Sequence, residues 1–182
     1  MSKKKEIGRY MLRKIEHYKD TADYSSTKAE LAKLRRGIGH QPGELPELYG
    51  YILRNMPESF WSSQGRVTQE EWSCYIALTL YALHQQGNNP DKHCVNVTSH
   101  MSLGNALRAM VKKSNDSNAE ERMEKRLQML ITSNDMREFS YHLKSLVSLL
   151  RSEGIALNYS ELAEDIYDFQ IEELKNQVCL RW

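Results

Sequence analysis

His93, Cys94 and His100 stand close together in the stretch "HCVNVTSH". Imidazole and thiolate are zinc ligands. A structural zinc takes four of them at tighter spacing, and no second cluster in the chain completes a set. Asp165 and Asp168 are three apart, a spacing that puts two carboxylates on one helix face. Such a pair could hold a metal, but its ordinary state is solvated. No GxGxxG, phosphate-binding loop, GxSxG or HExxH occurs, and no nucleophile is paired with a base. These residues predict no metal, no cofactor and no reaction centre. His84, set in an apolar helix, reads as a hydrogen-bonded core histidine.

The chemistry that remains is that of cations in rows. In "SLGNALRAMVKK", residues 102–113, Leu103, Ala106, Leu107 and Met110 form an apolar stripe. Gly104, Arg108 and Lys112 follow at i, i+4 and i+8 on another face. Glycine costs a helix about 1 kcal/mol against alanine, so a close neighbour is expected at Gly104. Amides at a helix N-terminus favour anions, and a missing Cβ admits a bulky group, so a phosphate chain suits the place. Packing against another helix suits it equally, and the sequence leaves both open.

The arrangement recurs. Lys28 and Arg35 flank the stripe Leu31, Leu34 and Ile38, with Arg36 further round. Arg122 and Arg126 flank Met123, Leu127, Leu130 and Ile131. Lys125 is spaced as an i,i+4 partner of Glu121. Arg137, Lys144 and Arg151 are seven apart and share an outer face. Cations beside a stripe lay their stems on the core and hold their heads out. In rows they can track a sugar-phosphate backbone.

The elements that carry these rows are helices. Apolar spacing is helical almost throughout, no alternating strand is evident, and the expected fold is all-α, a compact bundle of about eight helices. They are predicted near 3–19, 27–37, 45–56, 68–86, 102–113, 119–133, 135–152 and 160–176. Thr27–Glu30, Thr68–Glu71, Asn118–Glu121 and Asn158–Glu161 have capping-box spacing. "EEWSCYIALTLYALHQQG" is apolar on nearly every face and should lie in the middle of the bundle. "GIGHQPGELP" should be a fixed turn. "GNNPDKHCVNVTSHM", residues 87–101, is long and polar, and is expected to be mobile or to hold a partner. Residues 1–182 are read as a single all-helical domain, with a basic N-terminal segment over 1–24 and a two-lobe division near 87–101.

Charge narrows the partners. Lys and Arg number 25 against 24 Asp and Glu, for a net charge of +1. A protein that coats nucleic acid alone is usually more basic. The acids gather late, as Glu161, Glu164, Asp165, Asp168, Glu172 and Glu173 in one stretch. This predicts a polarised molecule whose acidic C-terminal helix faces a basic protein. Three cysteines without a CxxC pair suit a reducing compartment. The N-terminus lacks a secretory h-region, and no apolar run is long enough for a membrane span. A cytoplasmic protein is expected.

Four segments in order, "LRRGIGHQPGELPELY", "IALTLYALHQQG", "SLGNALRAM" and "HLKSLVSLLRSEGIALNYSELAEDIYDFQ", resemble the CasB family. That family is the small subunit of Cascade, the type I-E CRISPR RNA-guided surveillance complex. The resemblance runs from about residue 25 onward. Asn158-Tyr159 stands where the family more often has Asp before an aromatic residue. The resemblance implies an all-helical, non-catalytic subunit that works in antiviral defence. It implies two copies lying along the backbone filament, with backbone and large subunits, CRISPR RNA and target DNA as partners. It implies a surface that holds opened DNA strands and stabilises the R-loop. Carried over by motif, the contacting residues are Arg35, Arg36, Arg108, Arg122, Lys125 and Arg126. The helical wheel adds Lys28 and Lys112.

Overall fold

The computed structural model describes residues 2–21, 23–62 and 64–182. Among these residues it contains nine α-helices, one short 3-10 turn and no strand. In chain order the helices are α1 (Lys3–Asp20), α2 (Tyr24–Arg36), α3 (Pro46–Leu53), α4 (Gln69–His84), α5 (Leu103–Lys113), α6 (Ala119–Ile131), α7 (Met136–Ser152), α8 (Tyr159–Phe169) and α9 (Glu172–Arg181). The 3-10 turn is Glu58–Phe60.

Local capping explains most of the boundaries. Thr68 accepts from the Glu71 amide at 3.0 Å while the Glu71 carboxylate accepts from the Thr68 amide at 2.9 Å, a complete capping box. Asn158 accepts from the Glu161 amide at 3.1 Å. Two expected caps are corrected. Thr27 lies inside α2 and is buried; the helix begins earlier because Asp23 accepts from the Ser25 amide at 3.0 Å. Asn118 precedes α6, but its side chain caps no amide.

The expected helix over 160–176 is two helices. The Gln170 carboxamide donates to Gln69 O at 3.0 Å and Ser73 Oγ at 2.9 Å, which ties the end of α8 to the start of α4. Ile171 then takes extended backbone (φ −107°, ψ 115°) and α9 starts afresh.

The core forms around α4, whose residues from Ser73 to Ala82 are all buried. Helices α1, α2, α3, α7 and α8 pack on it, and α9 packs on α8. Helix α6 lies outside this ring against α7 and α5. His84 is 1% exposed and its Nδ1 lies 3.0 Å from the Tyr159 hydroxyl, so it is a core histidine.

The 87–101 segment is fixed at several points by hydrogen bonds within the chain. Gln85 bonds to both His93 O (2.7 Å) and the Val95 amide (3.0 Å). Val95 and Val97 exchange backbone hydrogen bonds with Leu157, and the Tyr159 amide donates to the Asn96 side chain at 2.8 Å. A polar loop fixes itself this way because its side-chain amides replace the missing backbone ladder.

Candidate nucleic-acid interface

The cations on α6 face α7. Arg126 donates to Ser145 Oγ at 2.6 Å. Arg122, Lys125, Arg126 and Met129 on α6, with His142 and Ser145 on α7, line a surface channel of about 360 Å³. Met129 and Tyr141 are 50% and 65% exposed, and the Tyr141 ring stands edge-on to His142 at 5.5 Å. Cations and the exposed Met129 side chain therefore line one seam, with Tyr141 next to it on α7. Arg122 pairs with Asp116, and Lys125 with Glu121 at 2.7 Å. Both pairs are open to water, where such contacts contribute at most about 1 kcal/mol, so either arm can swing to another anion at little cost.

Sequence reasoning named Arg122, Lys125 and Arg126 but missed Met129, Tyr141, His142 and Ser145. The signal available was an aromatic and a methionine on the polar side of their helices.

The α2 cations lie elsewhere, on a helix that packs against α4 and α3. Lys28 is exposed with no ion pair among the described residues. Arg36 pairs with Glu47 at 3.5 Å. Arg35 is half-buried and reaches the Ala82 carbonyl at 3.4 Å, so it serves the C-terminal end of α4. Burial, and then the charge of Arg151, lower its pKa from the ordinary arginine value. Arg35 and Arg151 thus lie near each other.

The α5 cations form a third group. Arg108 and Lys112 are exposed, and Arg108 donates to Asn105 Oδ1 at 3.3 Å. They face Glu120 and Glu124 of α6 across a second groove. Gly104 is buried, and its neighbour is protein. A Cβ there would meet the backbone of Arg181 and Trp182, the Trp182 carbonyl oxygen at 2.7 Å. The phosphate reading of Gly104 is thereby overturned. The eight expected residues form three groups, on α2, α5 and α6.

The acidic stretch is also corrected. Glu164, Asp165 and Asp168 are buried. Lys5 meets Glu164 at 2.8 Å, Lys4 meets Asp168, and Lys3 meets Glu70. Asp165 accepts from Arg181 at 2.6 Å and from the Trp182 indole at 3.1 Å. Of the six acids only Glu172 and Glu173 are exposed, and Glu161 meets His100 at 3.0 Å. A buried carboxylate needs a partner, and the N-terminal lysines supply it. Helix α8 therefore presents no acidic docking face among the described residues.

The residues weighed as metal ligands have other partners: Asp165 and Asp168 both meet Arg181, at 2.6 and 3.5 Å. Cys94 Sγ lies 3.9 Å from the Tyr81 hydroxyl, and His100 is taken by Glu161. Among the described residues no three His, Cys, Asp or Glu gather as a metal would need, and no helix is long and apolar enough to cross a membrane.

Comparison with known proteins places this geometry in a family. No match was found among curated proteins. The fold is similar to the crystal structure of CasB from Thermobifida fusca, with 26% identity and a TM-score of 0.76, over 97% of this chain and 95% of that one. It is also similar to a CRISPR-associated protein of the Cse2 family from Thermus thermophilus, with 20% identity and a TM-score of 0.68, over 96% and 94%. The family model for the CRISPR-associated protein Cse2 matches residues 30–182, and the resemblance to CasB seen in the sequence agrees with it. The chain belongs to the CRISPR-associated Cse2 family.

Proposed function

We propose that this protein is a non-catalytic small subunit of the Cascade type of RNA-guided surveillance complex, and that it grips a nucleic-acid strand through the α6–α7 channel. The observation that carries the reading is Arg126 anchored on Ser145, with Arg122, Lys125 and Met129 along the same channel and the exposed Tyr141 next to its lining residue His142. The cations take phosphates and the apolar side chains take base faces, so the grip needs no base sequence. Exchanging a DNA duplex for an RNA–DNA hybrid is nearly balanced, so a few such contacts are enough to favour the open R-loop. Local concentration within the assembly compensates for a net charge of only +1. Family membership supports the setting, in which two copies sit with backbone and large subunits, CRISPR RNA and target DNA in the cytoplasm.

The test uses the assembled complex. Arg122→Glu with Arg126→Glu is expected to leave assembly intact and to weaken target-DNA binding at two salt concentrations. Unchanged binding at both would remove the mechanism.

A further inference from the structure

The groove on the opposite side of α6 differs from the α6–α7 channel in being lined by charges of both signs. Its floor is apolar: Leu107 and Val111 from α5, Met123 and Leu127 from α6, and Trp182 at one end. Val111 and Leu127 keep part of their surface in water. One wall carries Arg108 and Lys112, four residues apart, and the other carries Glu120 and Glu124, also four apart. All four side chains are exposed, and no ion pair closes across the groove among the described residues. The accessible space is about 460 Å³. From Gly104 to Lys112 the α5 wall rises ~12 Å, two helical turns.

A phosphate backbone is a poor occupant. It gains from Arg108 and Lys112 but must pass Glu120 and Glu124, and it leaves the apolar floor in water with nothing to cover it. A purely apolar segment leaves both charged walls desolvated and unpaired. The walls have opposite sign, so the occupant they complement carries both signs as well.

We infer that the α5–α6 groove docks an amphipathic helix of a partner protein, with leucine-type residues at i, i+3, i+4 and i+7 on the floor, two acids four apart along one edge and two bases four apart along the other. The acids meet Arg108 and Lys112, and the bases meet Glu120 and Glu124. Opposite walls fix the rotation of the docked helix about its own axis, because any other rotation sets like charges together. Trp182, stacked on Phe169 with centroids 5.7 Å apart, makes a fixed end stop. Arg108 and Lys112 thus belong to a protein contact, separate from the strand grip on the far side of α6.

The experiment uses three synthetic 16-residue helical peptides with the same leucines: one with an acidic and a basic edge, one with two acidic edges and one with two basic edges. Affinity for the full chain is read by fluorescence anisotropy. The mixed peptide is expected to bind at least tenfold tighter than either uniform one, and this comparison needs no protein variant. In Glu120→Lys with Glu124→Lys, the preference is expected to pass to the peptide with two acidic edges. Equal affinity for all three, no binding of the mixed peptide, or an unchanged ranking in the variant each overturns the inference. So does displacement of the mixed peptide by a 16-nucleotide dT oligomer, which would assign the groove to nucleic acid. The strand grip survives all of these outcomes, since it is read on Arg122 and Arg126.

Discussion

The carbonyl oxygen of Trp182 lies 2.7 Å from the point where a Cβ on Gly104 would sit. The end of α9 thus crosses the first turn of α5 at Gly104, and glycine is the residue that allows the crossing. Alanine is the better helix former by about 1 kcal/mol. The obstacle is backbone, however, so the chain must shift. We expect Gly104→Ala to lower stability by ~1–3 kcal/mol despite its propensity advantage. The change is expected as a lower melting temperature with an altered Trp182 emission. A variant as stable as the parent would show that the crossing is slack.

Asp165 gathers two donors, the Arg181 guanidinium at 2.6 Å and the Trp182 indole at 3.1 Å, at a carboxylate that is 6% exposed. Asp165→Ala leaves the indole without an acceptor and Arg181 with only Asp168, 3.5 Å away, and is expected to lose about 3 kcal/mol. Asp165→Asn keeps one acceptor for the indole and is expected to lose less. Urea unfolding of the pair checks the order.

The first turn of α1 is held to α8 and α4 by Lys3, Lys4 and Lys5 on Glu70, Asp168 and Glu164. Breaking these pairs strands buried acids. Lys4→Glu with Lys5→Glu is expected to raise amide exchange through α1 and α8 before the α6–α7 region is affected. Uniform exchange across the chain would contradict this.

Burial pushes the His84 imidazole down to about 4, with a smaller opposing contribution from its backbone hydrogen bond at Ile155 and a further lowering by Arg151. The unfolded chain titrates near 6.5, so between pH 4 and 6.5 it binds more protons than the folded one. Stability is thus full above 6.5 and falls as pH drops through this window, by about 3 kcal/mol in all. His84→Gln is expected to flatten the curve of melting temperature against pH over that range. A wild-type curve already flat there would refute the assignment.

For the strand grip, each phosphate interaction that is removed should reduce the salt slope of binding by ~0.7–0.9. Arg122→Glu with Arg126→Glu in the assembled complex is then expected to lower the slope by ~1.5 or more. Arg35→Gln is expected to act differently, lowering stability by ~0.3–1 kcal/mol through the carbonyl end of α4 while leaving the slope nearly unchanged.

Much of the molecule was legible in the residues alone. Helical period marked nearly every element, the Thr68–Glu71 box fixed the start of α4, and the absence of a polar face on α4 placed it at the centre. These are local properties, set by residues within a turn or two of each other. The four ordered segments likewise carried the family. Tertiary structure decided the rest. A buried acid and a solvated acid carry the same carboxylate and stand four apart in one acidic stretch, so the residue types alone do not separate Asp168 from Glu172. The difference is Lys4, which reaches Asp168 from 164 positions away. The same holds for Gly104, whose neighbour comes from the far end of the chain. It holds also for the cations: the helical wheel shows which face of a helix is charged, but only packing shows whether that face meets Ser145, an acidic wall or the carbonyl end of α4.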